Sequence, residues 1–145
     1  MTVKFPSCEF FNLLKEQMAA EQARFRRLGF IDTSFGISVA HNSSARNFVL
    51  AFEIFELKDV NEVSELDLGR LDFAISGDLA VWREMLENIQ RHGEADTAHD
   101  LNTLAHFGDA LKVSYAEPEG HDKLYRFMES IQEFFDLSSK LEITF

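Results

Sequence analysis

Histidine, aspartate, glutamate and cysteine are among the side chains of this chain able to bind a metal, move a proton or attack a carbon, and their spacing decides among those chemistries. His99 and His106 stand seven positions apart, with His92, Asp100 and Asp109 close by in sequence. On a helix that spacing puts both imidazoles on one face, yet two turns at 1.5 Å per residue hold them about 10 Å apart. Ligand pairs for one ion use spacings of three or four, so no metal site is expected. His41 falls at a predicted hairpin tip and His121 just ahead of the last predicted helix, where capping or solvation is the simple role. Asp72 and Glu53 alternate out of apolar segments and, facing each other across a sheet, would make a general acid and base. Carboxylates on the solvent face of a half-exposed sheet are the commoner arrangement, and no nucleophile accompanies them. Cys8, near a helix start, has the position of an activated thiol, but nothing beside it supplies a metal or redox partner.

The sequence contains no Gly-rich phosphate loop, G-x-S-x-G elbow, H-E-x-x-H or C-x-x-C. No catalytic residue, cofactor or enzymatic activity is therefore expected. The distinctive feature is phenylalanine, with 15 Phe against 2 Tyr and 1 Trp. Most of the aromatic surface thus lacks a polar group that would need a hydrogen bond when buried, which suits a dry core or an apolar pocket. A formal net charge of −11, from 25 acidic and 14 basic residues, repels phosphate backbones and anionic membrane surfaces. Nucleic acid is not an expected partner. Arg24, Arg26 and Arg27 form the one dense basic patch and read as charges complementing a helix C-terminus. A single cysteine precludes an internal disulfide and points to a reducing compartment. Charged residues interrupt the first thirty positions and no eighteen-residue apolar run exists, so neither export nor membrane insertion is expected and the predicted location is cytoplasmic.

The elements follow from periodicity. Phe11, Leu14, Met18, Phe25 and Leu28 recur at helical spacing between Ser7 and Gly29, predicting a helix over Cys8–Leu28. Alternation predicts strands over Thr33–Ala40, Asn47–Leu57, Val60–Leu66 and Leu71–Ser76, with turn chemistry at residues 41–44. Asp78 is placed to cap a helix with the stripe Leu79, Trp82, Met85, Leu86 and Ile89, ending at Gly93. A brief helix is predicted over Thr97–His106, with Thr97 and Asp100 as capping pair and Gly108 as exit. A strand over Leu111–Tyr115, a long helix over Asp122–Asp136 and a short strand in the tail complete the chain. No linker, repeat or low-complexity stretch divides residues 1–145, so one domain is expected. The order predicts an α+β fold, a mainly antiparallel five-stranded sheet with helices packed on one face.

The stretch Leu71-Asp72-Phe73-Ala74-Ile75-Ser76-Gly77-Asp78, followed by Val81-Trp82 and an apolar helix to Ile89, resembles the middle of the sterol carrier protein two (SCP-2) family. The short helix leading to Gly108, the strand Leu111-Lys112-Val113 and the terminal amphipathic helix extend the resemblance over about Phe35–Asp136; Tyr115-Ala116-Glu117 departs from it where the family usually has a glycine. The resemblance implies non-catalytic binding of a sterol, fatty acid or acyl thioester in an apolar tunnel between sheet and helices. Phe48, Phe52, Trp82, Met85, Phe127 and Ile131 are the candidate lining residues. Two other classes compete. A small cone-shaped isomerase or dehydratase fold has this length and an opening helix, but its long strands come last. An interaction module would instead dock an exposed face of Phe134, Phe135 and Phe145 on a partner or, as a homodimer, on a second copy.

Overall fold

The computed structural model describes residues 2–106 and 110–145. The chain opens with a three-residue strand, β1 (Thr2–Lys4), and then α1 (Cys8–Ala20), capped by Ser7, whose side chain accepts the Phe10 N–H at 3.0 Å. The helix predicted to run on to Leu28 breaks at Glu21 (φ −116°, ψ 40°), and α2 (Gln22–Leu28) continues in a new direction. The break is held by the Glu21 N–H, which donates to the carbonyls of Gln17 and Met18. It leaves Arg24 of α2 paired with Glu133 near the end of the chain.

β2 (Thr33–His41) and β3 (Ser44–Glu53) form a hairpin around Asn42, which takes φ 59°, a left-handed conformation that asparagine tolerates. A second two-residue turn leads to β4 (Glu56–Val63), and here Ile54 takes φ 61°, a strained setting for a β-branched residue. The Ile31 N–H donates to the Ile54 carbonyl at 2.6 Å and fixes that turn. β5 (Phe73–Asp78) then pairs with β2 in parallel, and β6 (Lys112–Ser114) closes the edge antiparallel to β5. The strand order is β4-β3-β2-β5-β6. The prediction of five mainly antiparallel strands holds with one refinement: the sheet is mixed, because the chain crosses from β4 over the sheet before entering β5.

Alternation sets two faces. Phe35, Ile37 and Val39 of β2, Phe48, Leu50 and Phe52 of β3, and Phe73 and Ile75 of β5 point inward and are buried. On the outer face the crossing segment lays Leu66 and Leu71 on Gly36, where an added Cβ would sit 2.8 Å from Leu66. The inner face is covered by helices: α1, α3 (Leu79–His92) and α5 (Pro118–Asp136), with α4 (Leu101–His106) beside α5. α3 ends at Gly93 in the left-handed conformation, as its sequence predicts. α4 is shorter than predicted because Asp100 alone caps it, accepting the Thr103 N–H at 2.8 Å, while Thr97 contributes only its carbonyl, to the Thr103 hydroxyl. α5 starts earlier than predicted, with Pro118 at its first turn, a position that needs no N–H. The predicted exit at Gly108, and Asp109, lie outside the described residues. The tail forms the anticipated strand, β7 (Glu142–Thr144), which pairs in parallel with β1.

The first turn of α5 lies directly on the segment entering β5. Gly120 makes this possible, since a Cβ there would overlap the Asp72 carbonyl. The obstacle is backbone, so no rotamer relieves it. Gly120→Ala is expected to destabilise the fold by about 2–3 kcal/mol or more, read as a lower urea midpoint at unchanged slope; an unchanged midpoint would show that α5 does not sit where described.

Candidate ligand-binding layer

The space between sheet and helices is filled by aromatic rings in sequence. Phe35 stacks on Phe73 at 4.8 Å and on Phe52 at 5.7 Å, and Phe52 meets Phe134 of α5 edge-on at 5.1 Å. Phe134 contacts Phe135, Phe135 lies 5.9 Å from Trp82 of α3, and Phe11 of α1 bridges Phe48 and Phe135. Edge-on and offset geometries of this kind add about 0.5–1.5 kcal/mol per pair beyond area burial. The one polar handle among these rings, the Trp82 indole N–H, donates to the Ser38 carbonyl at 3.3 Å.

All six residues singled out in the sequence belong to this buried cluster. Phe48, Phe52, Trp82, Met85 and Ile131 are wholly or almost wholly enclosed. Phe127 stands at the rim, 6% exposed and 6.3 Å from Phe30, which is 62% exposed. Five surface clefts, of about 300 to 520 Å³, are lined by other residues. The docking face suggested by Phe134 and Phe135 is corrected: both are completely buried, because on α5 they share one helical stripe with Phe127 and Ile131. Phe5 is a member of the cluster that sequence reasoning misses. It is fully buried against Phe10, Phe11, Trp82 and Phe145, positioned by its N–H bond to the Thr144 carbonyl at 2.8 Å. Only the alternation of Val3 and Phe5 signals it, too short a run to count as a strand.

The sequence's other chemical candidates are occupied. Asp72 accepts from the Thr33 hydroxyl at 2.7 Å and from the Ser34 N–H, and pairs with Lys123, while Glu53 is exposed at the end of β3. His99 is gripped by two carboxylates, Asp96 at 2.7 Å and Glu84 at 3.4 Å. Its hydrogen bond to Asp96 raises its pKa, and the same bond holds the Asp96 carboxyl down at about 2. No group of three potential metal ligands occurs among the described residues.

A polar seam closes one end of the layer. Asn88 of α3 exchanges hydrogen bonds with Asp96, Gln132 accepts the Leu101 N–H, and Asp136 accepts from the Ala95 N–H and the Gln132 amide. Asp136 is buried, and that desolvation pushes its carboxyl up to about 6.

The same arrangement of layers occurs in known structures. A crystal structure of sterol carrier protein 2 superposes with a TM-score of 0.67 over 92% of this chain and 95% of that one, at 15% identity. This chain has the SCP-2 fold. A solution structure of a conserved hypothetical protein from Thermus thermophilus, described as possibly a sterol carrier protein, gives a TM-score of 0.60 at 20% identity, covering 90% of this chain and 82% of that one. No protein-family model matches the sequence, and no curated protein matches it. The SCP-2 likeness is therefore one of backbone architecture, carried by sequences that share little beyond their pattern. The fold also answers the cone-shaped alternative: the last third is dominated by the 19-residue α5, with only three-residue strands beside it among the described residues.

Because the native Asp136 carboxyl holds its proton to a higher pH than the ordinary 3.8, its contribution to stability is complete at low pH and is lost as pH rises through about 6. Asp136→Asn keeps the acceptor oxygen. Relative to this variant, the native chain is expected to lose unfolding free energy between pH 4 and 6; parallel curves across that window would refute the assignment.

Proposed function

We propose that the chain is a non-catalytic binder of one small apolar ligand, a sterol, fatty acid or acyl thioester, held between the sheet and the helices. The observation that carries the reading is the layer itself: a continuous apolar sandwich in the SCP-2 fold, built from rings almost without polar atoms. The name of the first neighbour, sterol carrier protein 2, supports the ligand class. Phe48, Phe52, Trp82, Met85, Phe127 and Ile131 are the proposed lining. Their rings and chains belong to one packed cluster, so a ligand occupies the layer by replacing side-chain contacts, with α5 moving outward and Phe127 at the rim giving way first.

The energetics suffice. Removing one CH₂ from water contributes about 0.8 kcal/mol, so eight methylenes supply about 6 kcal/mol before the cost of ordering the ligand. No chemistry on the ligand is proposed, because the carboxylates nearest the layer are engaged by hydrogen bonds. The proposed setting is a reducing, cytoplasmic one with a single domain, no nucleic-acid partner and no inserted segment; no helix among the described residues is long and apolar enough to cross a membrane.

Native mass spectrometry of freshly purified protein, followed by organic extraction, tests this directly. A stoichiometric lipid released on denaturation is the expected result and names the ligand class. An empty protein that takes up no fatty acid, acyl thioester or sterol from a panel would overturn the reading, and a concentration-dependent mass in that protein would favour self-association instead.

A further inference from the structure

A cleft of about 370 Å³ opens where β1 and the tail meet the β2–β3 hairpin and the start of α3. Its floor and walls are apolar, from Phe5, Pro6, Val39, Leu79 and Phe145. Its charged side chains are of one sign, Lys4, Arg46 and Arg83.

The three cations differ in what they have left to donate. Arg46 is engaged: two of its nitrogens bind Glu62 at 2.8 and 2.7 Å and the third donates to the Pro6 carbonyl at 2.6 Å. It braces the cleft wall. Arg83 makes one long contact, Nε to Glu87 at 3.4 Å, and its guanidinium lies 5.0 Å over the Phe145 ring. Its two terminal nitrogens have no partner among the described residues. Lys4 has no carboxylate partner among the described residues. Asn42 and Ser44 add polar groups at the hairpin end. A planar fork of this kind matches a carboxylate or phosphate bidentately.

We propose that this cleft is a second binding site, separate from the layer between sheet and helices, for a small organic monoanion with an apolar body, a medium-chain or aryl carboxylate. At about 30 Å³ per water-sized group, the volume holds about a dozen non-hydrogen atoms. The carboxylate meets Arg83 and Lys4, and the body lies on Phe5, Leu79 and Val39. A monoanion is favoured over a dianion because the surrounding chain is strongly negative and each further charge works against that field. Buried Phe5 and Trp82, 6.4 Å apart, stand between the cleft and the layer, so the site does not depend on the lipid reading.

Octanoate, octan-1-ol and acetate titrated into isotope-labelled full-length protein, followed by amide shifts, test the proposal. Octanoate is expected to shift the amides of residues 39–46 and around Arg83, and to bind at least tenfold more tightly than octan-1-ol or acetate. Arg83→Gln, an exposed change that leaves Tm unaltered, should weaken octanoate at least tenfold, and Lys4→Gln several-fold; added salt should weaken it further, since these charges are accessible to screening. Equal affinity for octanoate and octan-1-ol, indifference to Arg83→Gln, or no shift at millimolar ligand would overturn the site. Shifts centred on Met85 and Ile131 would also overturn it while supporting the lipid reading, and an octanoate site at Arg83 in a protein whose layer takes up no sterol or long-chain acyl ligand would do the reverse.

Discussion

The inner face of the sheet and the stripes of α1, α3 and α5 have to be buried against each other, and nearly all the side chains that do so are apolar rings or branched chains. This is the constraint from which the rest follows. Rings without polar atoms need no hydrogen-bond partners, so the layer is held by apolar contact and not by fixed polar pairs. A core of tyrosines would instead have demanded fixed partners for each hydroxyl. The Trp82 N–H is the exception, and it is satisfied by the Ser38 carbonyl of the sheet.

Polar groups are accordingly displaced to the margins, where they tie elements together. The seam of Asn88, Asp96, Gln132 and Asp136 fastens the loop after α3 to α5, Asp72 joins β2 to α5 through Thr33 and Lys123, and Arg24 joins α2 to α5 through Glu133. The exposed pairs, such as Arg83 with Glu87, add little to stability. The links through α5 are the ones that hold the cover of the layer in place. On the proposed reading, an apolar ligand that moves α5 works against the polar contacts made near its two ends by Lys123, Gln132, Glu133 and Asp136.

Periodicity makes the helical stripes and the hairpin legible, because each is written within a dozen neighbouring residues. All six proposed lining residues fall in the layer, since the stripe of a helix and the alternate positions of a strand announce which side is buried. What is not legible depends on distant partners. β1 exists because Thr2–Lys4 finds Glu142–Thr144 at the far end of the chain. The break at Glu21 carries no proline or glycine and is set by how α2 packs on α5. β4, rich in charge, starts earlier than its sequence suggests, because its pairing with β3 begins at the tight Ile54 turn. Phe134 and Phe135 fit the sequence pattern either as part of a wide apolar helix face or as a docking face; both are buried, because the stripe of α5 takes both.

The chain contains one tryptophan, and it lies inside the layer. That makes Trp82 a reporter for the central claim, occupation of the layer by an apolar chain. Fatty acids brominated at successive carbons quench indole emission only at close range. Titration into the protein is predicted to quench Trp82 saturably and with a clear dependence on bromine position, the mid-chain bromine most effective. Emission unchanged at every position, at concentrations where the lipid is shown to bind, would place the ligand outside the layer and contradict the account.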